Sequence, residues 1–217
     1  MEEFQYSISK EEINECELGS FEGDIHLISD EKQAQQIIDT LSKEVSIFGF
    51  DTESKPSFRK GEFHPIALVQ LATNERAYLF RVNCMKNIPD FSPLLCDESI
   101  IKVGLGLKDE LYEVKKTLGV TSRGFIDLEK IAAYHKFHQR GVRALAAYFL
   151  QIRISKSAQK SNWERADLTD QQLRYAATDA WVCLKIYDSM IEKGFLPLEN
   201  PSDMFVELKA NKESEKN

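Results

Sequence analysis

The chain has 217 residues, 42% of them hydrophobic and 29% charged, enough to bury one sizeable core in a single globular domain. No run approaches the roughly 18 consecutive apolar residues of a membrane span, and the start Met1-Glu2-Glu3-Phe4 is acidic where a secretory signal is basic and then apolar, so a cytoplasmic protein with no membrane partner is expected. The net charge of −7 excludes a uniformly basic polyanion-coating protein, and four scattered cysteines (Cys16, Cys84, Cys96, Cys183) exclude the close spacings of zinc ribbons and redox motifs.

Residues 1–24 are polar and acidic with weak periodicity, the pattern of a loosely packed N-terminal extension. Asp30 followed by Gln33 marks a helix start, and Ala34, Ile37, Ile38 and Leu41 recur at helical spacing. Val45 to Phe50 is nearly all apolar, which predicts a central strand buried on both faces. A loop over Ser54 to Phe63 carries Pro56 and Gly61. Ile66 to Leu71 and Ala77 to Val82 then predict a hairpin turning at Thr73-Asn74-Glu75. Ile100 to Val103 and Phe125 to Leu128 complete five expected strands. Helices are predicted through Leu107, Leu111, Val114 and Leu118, near Glu129–Phe137, and over Val142–Leu150. Thr169 with Gln172 forms a capping box for the longest helix, which Gly194 and Pro197 end. Residues 196–217 are expected as a C-terminal tail, charged and frayed from Glu207. The pattern is α/β with a mixed sheet.

Three places carry candidate chemistry. Asp51 and Glu53 follow the buried strand at i and i+2, so their carboxylates share a face, at the carboxyl end where α/β sheets bind ligands. Two such carboxylates repel unless a cation lies between them, and hard oxygen donors favour magnesium or manganese. Tyr175 and Asp179, at i and i+4, lie on one face of the long helix among small residues. Asp109 and Glu110 open the helix after the fourth strand, and Glu110 borders its apolar stripe. His135 and His138, without Cys or Glu-His context, are more simply structural.

Charge is unevenly spread. Between positions 136 and 165 seven basic residues face only Glu164, a local balance of +6, which suits phosphate binding. Lys156 and Lys160 precede Ser161-Asn162-Trp163, and Lys55 and Phe58 lie in the loop just after Glu53. These two segments are expected to wall an entry groove for single-stranded nucleic acid, with cations for the backbone and aromatics for stacking. A core anchor is the other reading of Trp163.

In this order the segments resemble the ribonuclease D-like (DEDDy) 3'-5' exonucleases of the ribonuclease H-like superfamily. The first motif is Phe50-Asp51-Thr52-Glu53, the second Val103-Gly104-Leu105-Gly106-Leu107-Lys108-Asp109-Glu110, and the third Tyr175-Ala176-Ala177-Thr178-Asp179. Ile66-Ala67-Leu68-Val69-Gln70-Leu71 and Ser161-Asn162-Trp163 also match family segments, and the similarity runs from about Ile25 to Phe195. The resemblance implies a mixed five-stranded sheet flanked by helices. It also implies two divalent cations held by Asp51, Glu53, Glu110 and Asp179, with Tyr175 orienting the attacking water. The implied activity removes nucleoside 5'-monophosphates from the 3' end of single-stranded DNA or RNA. The second motif of the family ends in aspartate where this chain has Glu110. The extra methylene moves the carboxylate by about 1.5 Å, and ~1 Å in a catalytic site can cost roughly a hundredfold in rate. The expectation is that Glu110 serves with some loss, Asp109 being the substitute through a register shift. The alternatives are a catalytically impaired nucleic-acid-binding module and a two-metal phosphatase of small nucleotides.

Overall fold

In the computed structural model, which describes residues 4–57, 59 and 62–206, caps and apolar spacing set most element boundaries. Ser9 and Glu12 form a reciprocal cap on the short helix α1 (Lys10–Glu15), followed by β1 (Glu17–Gly19) and β2 (Asp24–Ile28). Asp30 accepts from the Gln33 N–H and starts α2 (Glu31–Glu44), whose inward stripe is Ala34, Ile38 and Leu41. Next come β3 (Ile47–Ser54), β4 (Ile66–Ala72), β5 (Arg76–Phe80), α3 (Ser92–Leu95), β6 (Ile101–Gly104), α4 (Leu107–Leu118) and β7 (Phe125–Asp127). The chain continues through α5 (Leu128–Tyr134), α6 (Val142–Leu150) and β8 (Ile152–Ile154) to the long helix α7 (Asp170–Glu192). Thr169 and Gln172 cap α7 reciprocally, as their spacing predicts.

Among the described residues the main sheet has six strands in the order β2-β5-β4-β3-β6-β7. β4 runs antiparallel to both β3 and β5, and the other pairs are parallel. The expected count of five is therefore corrected to six. The added strand, β2, is an edge strand with three of its five residues exposed, so its own sequence carries little periodicity and its parallel ladder to β5 defines it. α2, α3 and α4 cover one face through Ile38, Leu95, Leu111 and Val114, packed on Phe48, Phe50 and Phe80. α5, α6 and α7 cover the other, joining Ile131, Leu145 and Ile186 to Val103 and Ile126.

The described residues flanking the expected domain are better packed than the sequence suggests. β1 forms a two-stranded parallel sheet with β8. Phe21 is buried under α7, its N–H donating to Thr178 Oγ1 (3.0 Å) and its carbonyl accepting from Arg174 Nη1 (2.5 Å). Tyr6 stacks on Phe137 at 4.7 Å between ring centroids. The expected loose extension is thus structured well before residue 24. At the other end Leu198, Met204 and Val206 are buried, and the Val206 N–H donates to the Phe125 carbonyl at 2.9 Å while Phe205 bridges Ile126 on β7. Residues 207–217, expected to be frayed, lie outside the described residues.

One contact fixes how closely α7 lies on the sheet. Gly49 of β3 faces Ala180, and a Cβ on Gly49 would stand 1.9 Å from the Ala180 carbonyl oxygen. Ala176, Ala177 and Ala180 are fully buried along the same helix face. With no side chains thicker than a methyl between them, the backbones of α7 and β3 approach more closely than larger residues permit.

Candidate active site

β3 continues through Asp51, Thr52 and Glu53, so the carboxylates belong to the strand, and an irregularity between Glu53 and Ser54 ends the regular ladder. Gly49, Asp51 and Glu53 alternate onto the face covered by α7. α7 presents Tyr175 and Asp179 one turn apart on the face that meets β3. Carboxylate oxygens of Asp51, Glu53 and Asp179 all lie within 4.8 Å of one another. Together with Thr52, Leu105, Val142, Gln159, Tyr175 and Cys183 they line a cleft of about 270 Å3. A larger cavity of about 510 Å3, bordered by Glu98, Arg123 and Phe205, lies at the starting ends of β6 and β7 and contains none of these groups.

Glu110 comes to the cluster from the side. β6 pairs with β3 only as far as Gly49, which leaves that edge of β3 open where α4 begins. Thr52, through its side chain and backbone, favours the ionised form of Glu110, whose Oε1 is buried without a partner. It is near enough to raise the proton affinity of Asp51 and Glu53, yet it stands outside the three-carboxylate group. Asp109 is exposed, so of the two candidates the fold brings Glu110 inward.

Crowding of like charges in a desolvated cleft governs the electrostatics. Asp51 and Glu53 keep a little surface open to the cleft and are enclosed by protein elsewhere. Burial, then Glu110, Asp179 and Glu53, holds the Asp51 carboxyl well above the usual carboxylate range. Burial and the Asp179 and Glu110 charges push Glu53 up to about 9. Burial raises Glu110 to about 8, with Thr52 opposing. Asp179 rises to about 7, again by burial, with the neighbouring Tyr175 phenol opposing. The Tyr175 phenol is raised too, by burial and then by the Asp179 charge. Four carboxyls that resist ionisation together call for a positive charge, and an all-oxygen donor set with one unpartnered oxygen suits a hard divalent cation.

The matching family model, described as 3'-5' exonuclease, covers residues 25–194. The chain belongs to the 3'-5' exonuclease family. It is 31% identical over 153 residues to the bifunctional 3'-5' exonuclease/ATP-dependent helicase WRN of Mus musculus, a match spanning 66% of this chain and 11% of that protein. Its fold resembles the Nibbler EXO domain of Aedes aegypti with a TM-score of 0.72 at 22% identity, covering 81% of this chain and 92% of that one. Trypanosoma brucei RNase D, in complex with RNA U12, gives 0.68 at 19% identity, covering 79% and 63%. The architecture is the ribonuclease H-like α/β fold of these exonucleases.

Around this exonuclease cleft the expected groove residues separate into two groups. Lys156 and Lys160 are exposed and Ser161 is half-buried, on the segment whose Gln159 lines the cleft. Lys55, half-exposed, lies 3.7 Å from Glu164, so its charge is partly met within the protein. Trp163 differs from its expected stacking role. It is 1% exposed and packs with Leu68, Leu79, Ala158 and Ala176, which is the core-anchor reading. Phe58 lies outside the described residues. His135, considered and set aside as a ligand, bonds the Phe195 carbonyl through Nε2 at 2.8 Å. Gln159 and Val142 carry no role in the sequence reading, where Leu105 enters only as part of the second motif; the signal for Gln159 is its place between the two lysines.

Proposed function

We propose that this chain hydrolyses phosphodiester bonds one at a time from the 3' end of single-stranded DNA or RNA, releasing nucleoside 5'-monophosphates. The observation that carries this reading is the convergence of Asp51, Glu53 and Asp179 within 4.8 Å in one cleft of a 3'-5' exonuclease fold. Asp51, Glu53, Asp179 and Glu110 would hold two divalent cations, magnesium or manganese. Such cations supply positive charge for the phosphate oxygens and acidify the attacking water.

The residues themselves do the positioning. Tyr175 keeps its proton throughout the neutral range, since its environment raises an already weakly acidic phenol. It therefore acts as a donor that orients the water, and is not a base. Attack by that water on phosphorus breaks the bond to the 3' oxygen, which leaves as the new 3'-hydroxyl of the shortened strand. Lys156 and Lys160, with Lys55 when Glu164 releases it, would grip the backbone. The RNA held by the Trypanosoma relative favours RNA as the first substrate to try.

The test is an assay with 3'-labelled and 5'-labelled DNA and RNA oligonucleotides, in manganese, magnesium or chelator, with Asp51→Ala beside wild type. Shortening from the 3' end that needs metal and Asp51 is expected, and binding with no shortening in any metal would refute it. The position of Glu110 outside the three-carboxylate group supports one second reading, an impaired binding module. That reading requires activity to appear only in Glu110→Asp.

A further inference from the structure

Gln70 occupies a position where an apolar residue should be more stable. It lies in the middle of β4, is fully buried, and neither its Oε1 nor its Nε2 has a partner within the protein. Its neighbours on that face, Leu68 and Ala72 along the strand and Leu79 across on β5, are apolar and fully enclosed. Each unsatisfied buried polar group costs about 1–3 kcal/mol, so a carboxamide with two such groups is an expensive occupant. Buried orphans of this kind call for an explanation.

The register supplies one. Gln70 stands directly opposite Asp51 in the antiparallel ladder of β3 and β4. Opposed residues project from the same face with Cβ atoms about 4.5–5.5 Å apart. A glutamine side chain is long enough to bring its amide within reach of the Asp51 carboxylate across one water. No other polar side chain of β4 or β5 stands across from Asp51 or Glu53 on that face, where Leu68 faces Glu53.

We propose that Gln70 is a positioning residue for Asp51. Its Nε2–H reaches the Asp51 carboxylate through one bridging water, on the oxygen turned away from the cleft, fixing the orientation in which the other oxygen meets a cation. The inference rests on the reading of the cluster as a metal centre. Groups that orient metal ligands in this way typically change metal affinity or activity by about 10–100-fold when removed. Gln70 would add no charge, so it would steady the ionised carboxylate without competing for the cation.

Gln70→Met, similar in length and apolar, separates this role from packing. Manganese binding to wild type and variant would be followed by calorimetry without nucleic acid, alongside Tm in chelator and kcat and KM on a labelled oligonucleotide. The expected result is a Tm equal to or above wild type, manganese affinity weaker by about 10–100-fold, a lower kcat and an unchanged KM. Wild-type manganese affinity in Gln70→Met would overturn the proposal while leaving the metal reading standing. So would a loss explained wholly by a fall in Tm. Absence of manganese binding by wild type would overturn both readings.

Discussion

Gly49→Ala tests whether the approach of α7 to β3 sets the geometry of the carboxylates. The new Cβ would stand 1.9 Å from the Ala180 carbonyl oxygen and 2.8 Å from its carbon, and backbone atoms cannot swing aside as a side-chain tip can. Recovering an ordinary contact near 3.5 Å requires at least about 1.6 Å of extra separation between helix and strand. Asp179 directly precedes Ala180, and Asp51 follows Gly49 on the same face, so the displacement falls on the 4.8 Å group itself. A shift of ~1 Å at a reacting centre costs roughly a hundredfold in rate. Overpacking costs about 1–3 kcal/mol, which for a chain of this size lowers Tm by about 2–12 °C. The assay is metal-dependent turnover of a 3'-labelled oligonucleotide at a temperature where circular dichroism shows both proteins folded, with Tm by scanning calorimetry. Turnover within about twofold and a Tm within about one degree of wild type would refute the argument, since α7 could then move without consequence.

Metal removal should make stability depend on pH. Glu53, Glu110 and Asp179 titrate at about 9, 8 and 7 in the folded protein, above their unfolded values near 4. Folded protein therefore binds more protons than unfolded between these limits, so their contribution is full below about pH 4 and is lost as pH rises through 7 to 9. In chelator, Tm should fall over pH 5 to 9, and saturating manganese should raise and flatten the curve; a flat chelator curve refutes the assignment. Glu110→Gln should lower turnover by about a hundredfold or more, whereas Asp109→Asn should leave it near wild type; equal effects would return the role to Asp109 or to neither. Replacing Lys156 and Lys160 together by alanine should reduce the slope of log binding against log salt by about 1.4 on a single strand. An unchanged slope would place the strand elsewhere.

What the sequence discloses is what local period and local spacing can encode. The run ending at Phe50 fixes a buried strand, and i, i+2 parity then puts Asp51 and Glu53 together. The Thr169–Gln172 box sets the phase of α7, and i, i+4 spacing pairs Tyr175 with Asp179. Glu110 rather than Asp109 faces inward for the same reason, its distance from Leu107 and Val114 along the apolar stripe. Long-range pairing leaves no such trace. β1 and β8 are each three residues long and stabilise one another from opposite ends of the chain, so neither has enough residues to show a period. Phe21 is buried among Ala72, Ala77, Ala177 and Ala180, with its backbone bonded to Thr178 and Arg174, all distant in sequence. Trp163, flanked by Lys160 and Arg165, had the composition of a surface platform, and only its packing with Leu68, Leu79 and Ala176 shows it inside. Gln70 sits in an apolar run, and its cross-strand partner emerges only from the register.

The bridge that Phe205 and Val206 make to β7 has a practical consequence. β7 is the last strand of the main sheet, and its outer side is closed by Phe205 and Val206, with Lys130 Nζ reaching the Phe205 carbonyl at 2.6 Å. Those residues act as a selvedge. A shortened version ending before Phe205 would bare the donors and acceptors of Phe125 and Ile126, an open template on which a second molecule can add its own strand. Such a protein could keep every carboxylate in place and still be lost to self-association, so the boundary chosen for expression matters as much as any residue in the cleft.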